Sequence, residues 1–338
     1  MMGLANSRAD NWNMVGNDWA VSMLRQHVRR GMPRHAYLLT GPRGIGRRTL
    51  ALRFAQALIC TNPKEPGMPC GECEDCGYIQ REQHPDVALV GAEAEGGTLK
   101  VEQIREQRRL IALKPYRSKY RIVIFQRFQE ANDSAANALL KTLEEAPAHA
   151  ILMLTAESSE GLLPTIVSRC EVLRLQPVPM EEVRRLLEER GAGADKARLV
   201  AHISGGCPGV ALRLVEDEGL LSDRHERLNE LQALVRGTRA HRFGYAWQLS
   251  KDKAGMREVL ILWLSFWRDV LWRAGGASSP VSNIDREADI DALAKGLSLK
   301  EATRIVEDLD QGIRQLELNV NPRLLAEVLL LDWPRSSV

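Results

Sequence analysis

Leu38-Leu39-Thr40-Gly41-Pro42-Arg43-Gly44-Ile45-Gly46-Arg47-Arg48-Thr49-Leu50 is the stretch on which the fold turns. An apolar run, Ala36 to Leu39, enters a glycine-rich turn, and a helical pattern follows through Leu50, Leu52, Phe54 and Leu58. Strand, loop and helix in that order form a phosphate cradle, because glycines let backbone N–H groups close round an anion at a helix N-terminus. A working P-loop also needs Lys for the β/γ-phosphates and Ser/Thr for Mg²⁺. Aligned on Gly41 and Gly46, those two places hold Arg47 and Arg48. Gly41, Gly44, Gly46, Arg47, Arg48 and Thr49 therefore keep the frame of a nucleotide site and lack two of its working side chains.

The second half of such a site is missing too. Arg121 to Arg127 reads as a buried strand by composition. In a P-loop ATPase this strand ends in an Asp that holds Mg²⁺, and an adjacent Glu often polarises the attacking water. The corresponding residues are Gln126 and Arg127. Gln is a poor Mg²⁺ ligand and no base, and Arg cannot act as a base. Arg47 still has donors for a phosphate, whereas Arg48 brings bulk and charge where a hydroxyl would meet the metal. Productive binding of ATP and Mg²⁺ is not expected.

With 338 residues the chain has room for two or three domains. Charged residues make up 27% and hydrophobic ones 44%, the balance of a globular protein, and a net charge of +2 gives no overall pull toward nucleic acid. The longest strongly apolar run near the end, Val259 to Trp267, is far too short to span a bilayer. No signal-peptide pattern opens the chain, so a cytoplasmic location without membrane contact is expected. In that compartment six cysteines favour a metal or free thiols over disulfides.

Four of the cysteines, Cys60, Cys70, Cys73 and Cys76, follow the P-loop helix with the spacing C-x9-C-x2-C-x2-C. Two C-x2-C turns in a Pro/Gly-rich segment suit a tetrahedral Zn²⁺ site, structural because four sulfurs leave no position for water. The bland alternative is a set of free surface thiols. His84 is a conceivable replacement ligand, but His84-Pro85-Asp86 reads better as the lead-in to a strand, Val87 to Val90.

The helical patterns are mostly ordinary. Ala20, Val21, Leu24 and Val28 share one face of a helix after Val15-Gly16. On Glu102 to Leu113, Ile104, Leu110 and Ile111 are placed to face the core, and Arg105, Arg108 and Arg109 share a polar face. Such a face can meet nucleic-acid phosphates, and is more often simply solvated. Trp263, Phe266, Trp267, Val270 and Leu271 form a broad apolar stripe on Met256 to Ala274, read first as core.

Ala136-Asn137-Ala138-Leu139-Leu140-Lys141-Thr142-Leu143-Glu144-Glu145, halted by Pro147, and Ser168-Arg169-Cys170 carry a more specific signal. With the glycine loop and the four-cysteine insert before them, they resemble the bacterial clamp-loader branch of the AAA+ proteins, the τ/γ and δ′ subunits of the DNA polymerase III holoenzyme. The resemblance runs from about Val15 to Leu214. Within that family τ/γ hydrolyses ATP and δ′ does not. Arg47, Arg48, Gln126 and Arg127 depart from the hydrolysing pattern. So does Gly206-Cys207-Pro208-Gly209, which puts Gly209 where the family's second sensor has an Arg. The pattern therefore resembles the δ′ branch, as do Trp267-Arg268-Asp269 and Asn283-Ile284-Asp285 more weakly.

The resemblance implies an α/β P-loop AAA+ core over 1–176 with the zinc module at 60–76, a small helical lid domain over 177–215 and an all-α C-terminal collar domain over 216–338. It implies that Arg169, between Ser168 and Cys170, acts as an arginine finger on ATP held by a neighbouring subunit; a local salt bridge is the plainer reading of the same residue. Implied partners are the τ/γ and δ subunits and, through the complex, the sliding clamp and primer–template DNA. The rival readings are an active τ/γ-type ATPase, which the missing Lys and acidic pair argue against, and a zinc-containing DNA-binding protein, for which only the Arg105 to Arg109 cluster speaks.

Overall fold

The computed structural model describes residues 11–94, 96–317 and 320–334. The chain divides into two compact units, one running to Leu186 and including Gly206–Val210, the other made of Leu187–Gly205 and the residues from Ala211 onward.

The first unit is built on five parallel strands, β1 (Ala36–Thr40), β2 (Val87–Val90), β3 (Arg121–Phe125), β4 (Ala150–Ala156) and β5 (Glu171–Arg174), in the order β2-β3-β4-β1-β5. β1 and β4 are buried along their whole length. Their uninterrupted apolar runs are what a parallel sheet covered on both faces requires. Leu38 pairs in register with Leu154 of β4 and Val172 of β5, and Phe125 pairs with Leu154. The C-terminal ends of β1, β4 and β3 thus lie side by side, and the glycine loop, Thr155 and Gln126 gather at that end of the sheet. In open parallel sheets this is the end where ligands bind.

Helices α1 (Asp18–Arg29), α2 (Arg47–Ile59), α3 (Glu74–Gln80), α4 (Val101–Ile111), α5 (Asp133–Glu144) and the single turn α6 (Pro164–Val167) accompany the sheet. Asn132 starts α5 by accepting the Ala135 N–H, a conventional N-cap. On α4 the expected core face is corrected. Ile104 and Ile111 are buried, but Leu110 is 39% exposed and Gln107 takes the inward position. At about 100° per residue, Leu110 stands roughly 120° away from Ile104, and Gln107 only about 60°. Arg105, Arg108 and Arg109 are all exposed.

The second unit is helical. Its helix Lys253–Ala274 buries Trp263, Phe266, Trp267 and Val270, as the stripe predicts, and leaves Leu271 only partly covered. Trp333 packs at a steep angle against both Trp263 and Trp267, with ring centroids 5.0 and 5.5 Å away. Asp269, on the same helix, accepts the N–H groups of Ser282 (3.0 Å) and Asn283 (2.8 Å). Asn283 in turn receives Arg224, which also grips Asp285. The Trp-Arg-Asp and Asn-Ile-Asp segments therefore meet in one polar network. Arg242, fully buried, donates to the carbonyls of Leu234, Val235, Leu330, Trp333 and Pro334. Its guanidinium thereby gathers carbonyls at the C-terminal ends of two helices, Glu218–Arg236 and Pro322–Leu331, where the last turn runs short of intrahelical donors.

Candidate functional site

The glycine loop is closed by its own chain. Gly209 N–H donates to the Gly44 carbonyl at 2.8 Å. A Cβ on Gly209 would lie 2.8 Å from that same oxygen, and one on Gly44 would lie 2.6 Å from Val210 Cγ2 and 2.8 Å from Val210 N. Gly44 also has φ +76°, a conformation side chains rarely adopt. At the start of α2, the buried Met14 brings its methyl to 3.0 Å from where a Gly46 Cβ would stand.

The side chains of the loop differ in their surroundings. Arg47, in the lysine place, is half-buried; burial pulls its pKa down, opposed by the nearby charge of Glu157. Its Nη1 is buried and has no hydrogen-bond partner among the described residues. Arg48 is exposed and ion-paired with Glu82, and Thr49 is exposed. Gln126 and Arg127 follow β3 directly. Arg127 takes a left-handed backbone (φ 47°), donates its N–H to Thr155 Oγ1 at 3.0 Å, and pairs through Nε with Glu130 at 2.9 Å. Glu130, in the turn after β3, is an acid beyond the expected position of the acidic pair. Its carboxylate is taken by Arg127 and by the Gly96 N–H at 3.0 Å.

The four insert cysteines come together as their spacing predicts. The sulfurs of Cys60, Cys70, Cys73 and Cys76 all lie within 4.8 Å of one another, with Cys60 at 3.5 Å from Cys70 and 3.9 Å from Cys73. A tetrahedral ion with Zn–S of about 2.3 Å needs sulfurs roughly 3.8 Å apart. Backbone N–H groups point at the sulfurs: Cys70 N to Cys60 at 3.3 Å, Cys73 N to Cys70 at 3.2 Å, and Cys76 N to Cys73 at 3.5 Å. Such donors favour the thiolate form. Burial works against the Cys73 thiolate, but the N–H of Cys76 and donors from Thr61 outweigh it and bring the pKa to about 6. Burial pushes Cys60 and Cys76 the other way. The residues fit a tetrahedral metal. His84 is not among the ligands, because Asp75 and the Asp86 N–H occupy its two ring nitrogens, at 3.3 and 3.1 Å.

Ser168, Arg169 and Cys170 lie at the opposite end of the sheet from the glycine loop, just before the first residue of β5. Ser168 Oγ and Arg169 Nη1 both donate to the Thr165 carbonyl, at 3.2 and 2.9 Å. Arg169 Nη2 pairs with Glu144, the last residue of α5, at 2.6 Å; the two side chains are 37% and 51% exposed. The local salt bridge is present, in a setting where such pairs contribute about 0–1 kcal/mol. Burial raises the Cys170 thiol pKa to about 12, which keeps it protonated near neutral pH.

A parallel α/β sheet in the order β2-β3-β4-β1-β5, with a glycine loop after its first strand, is the frame of a P-loop nucleotide-binding fold. The family described as DNA polymerase III, delta subunit, matches residues 16–179, and that described as DNA polymerase III, delta subunit, C terminal, matches residues 218–335. The chain belongs to this DNA polymerase III subunit family. It is 33% identical over 223 residues to the DNA polymerase III subunit delta′ of Pseudomonas aeruginosa, a match covering 64% of this chain and 66% of that protein. With the Bacillus subtilis subunit delta′ it shares 27% over 316 residues, covering 92% and 94%. With the DNA polymerase III subunit tau of Salmonella typhimurium it shares 31% over 179 residues, covering 52% of this chain and 27% of that one. Among the described residues no helix is long and apolar enough to cross a membrane.

Proposed function

We propose that this chain is a δ′-type subunit of a bacterial clamp loader that hydrolyses no ATP itself and completes the ATP site of a neighbouring subunit. The observation that carries the reading is a contrast within the first unit. The glycine loop lacks the lysine, hydroxyl and acidic pair of an ATPase, and its backbone is packed against Gly209 and Val210. Ser168-Arg169-Cys170 is intact and part-exposed at the other end of the sheet. Tyr37 is in register with Glu171, so β1 runs on for about 13 Å beyond the start of β5 before it reaches the glycine loop. Arg169 stands before β5 and is too far from its own loop to serve it. A guanidinium keeps its charge and presents a fixed fork to a γ-phosphate, which suits it to act on ATP bound by another chain.

In this reading the four cysteines hold a structural zinc, residues 1–176 are the AAA+ core with its insert at 60–76, 177–215 the lid and 216–338 the collar. Exposed Phe243, Trp247, Trp272, Leu324 and Val328 on the helical unit give the collar apolar surface to share. The partners are τ/γ and δ subunits in the cytoplasm, acting on the sliding clamp and primer–template DNA. The names of the delta′ and tau relatives support this assignment.

The test is phosphate release by the purified chain, with and without Mg²⁺, beside its co-assembly with the τ/γ and δ subunits of the same cell. The lone chain should show no Mg²⁺-dependent turnover and should join the complex. The double variant Arg47→Lys/Arg48→Thr should stay inactive, because Gln126 and Arg127 still offer neither a good metal ligand nor a base. A Mg²⁺-dependent rate that survives further purification overturns the reading in favour of an active ATPase.

A further inference from the structure

The cysteine cluster is joined to a distant surface turn through buried side chains. α3 begins after Cys73, whose sulfur caps it, and carries Cys76 in its first turn. A helix of seven residues does not hold itself in water. Its anchors are the cysteines, the buried Ile79 and Gln56, which donates to the Cys76 carbonyl at 2.9 Å. Between the two cysteines stands Asp75, buried, with Oδ1 2.8 Å from Arg117 Nε and 3.3 Å from His84 Nε2. Glu74 adds a second contact to Arg117 at 3.1 Å, and the guanidinium of Arg117 lies over the Tyr78 ring of the same helix at 5.5 Å. His84 is buried as well. Its Nδ1 accepts the Asp86 N–H, which leaves the proton on Nε2 for Asp75. The Asp86 carboxylate accepts the N–H groups of Tyr116, Arg117 and Ser118 at 2.6, 2.9 and 3.0 Å.

The turn at residues 116–118 is therefore fastened twice, by its backbone to Asp86 and by the Arg117 side chain to α3, and the two fastenings meet at His84 and Asp75. This turn follows α4 with its three exposed arginines and presents Leu113 and Tyr116 to solvent. We propose that metal bound by Cys60, Cys70, Cys73 and Cys76 fixes the shape of this exposed turn, with Asp75 and Arg117 as the positioning residues that carry the constraint. The inference rests on the zinc reading given above. Ligation orders α3, α3 presents Asp75, and Asp75 holds Arg117 and His84. Without the ion α3 frays, and the turn keeps only the Asp86 contacts.

The experiment is amide hydrogen exchange on the full chain, with metal content measured on the same samples. Compared are the zinc-loaded protein, the chelator-stripped protein and zinc-loaded Asp75→Asn. Stripping should speed exchange over residues 113–119 by on the order of tenfold and leave β1 and β4 protected. Asp75→Asn should keep about one zinc per chain and still exchange faster over the same residues. If stripping unfolds the whole chain, Asp75→Asn alone decides. A metal-loaded Asp75→Asn that exchanges like wild type overturns the coupling and leaves the zinc reading standing. A chain that carries no zinc as purified from metal-replete cells overturns the zinc reading, and the coupling with it.

Discussion

The glycine loop and the Ser168-Arg169-Cys170 turn occupy opposite ends of one sheet, and they have opposite relations to their surroundings. The loop is turned inward: Gly44 is hydrogen-bonded to Gly209, Arg127 is paired with Glu130, and Arg48 with Glu82. The turn faces outward: Arg169 holds an exposed carboxylate and a backbone carbonyl. A cation held at a part-exposed carboxylate can pass to a new anion, whereas the glycine loop is tied by its backbone to Gly209. In the proposed function, chemistry is withdrawn from one end and left available at the other.

The largest effect expected of this contrast is at Arg169. Arg169→Ala should fold, join the complex and lower phosphate release at the neighbouring site by on the order of 10³-fold. Turnover by the whole complex should fall less, since its other sites keep their own arginines. An assembled mutant complex that turns over ATP and loads clamps like wild type breaks the comparison at its outward end.

The inward end predicts a stability effect. Gly44→Ala sets a Cβ against Val210 at φ +76° and should cost about 1–3 kcal/mol, read as a lower urea midpoint. A variant as stable as wild type would mean that the loop is not packed as described.

The smallest effect sharpens the meaning of the salt bridge. Glu144→Gln removes the charge that partners Arg169 and should change stability by less than about 1 kcal/mol. ATP turnover by the assembled complex should hold steady or rise, because the guanidinium is then released. A clear loss of stability without change in turnover would favour a structural role for the pair.

Much of the first unit is legible in the sequence because its signals are local. The apolar runs of β1 and β3 and the cysteine spacing each lie within a short window. Leu110 misleads because an apolar residue one step off the Ile104–Ile111 line looks like core until the helix is phased by its neighbours. What stays hidden depends on partners far along the chain or on side-chain pairing. Asp86 holds backbone about thirty residues away, Arg242 reaches Trp333 and Pro334, and Glu130 is disarmed by Arg127. The sequence displays these charges but not what neutralises them. The Trp-Arg-Asp and Asn-Ile-Asp segments are legible only as a resemblance; their contact through Asp269 and Asn283 supplies the physical reason.

The contact between Gly44 and Gly209 bears on how such loops are read at all. Any side chain at either position would collide with the backbone of the other segment. Glycine is therefore demanded here by the approach of two stretches of protein, with no phosphate in the account. A constraint first understood as service to a ligand can pass to the packing and outlive the ligand. A mutational scan of this chain would find those glycines intolerant and the adjoining Arg47 and Arg48 far more permissive. Where two backbone segments approach this closely, the glycines of the loop report the packing of the protein and say little about what it binds.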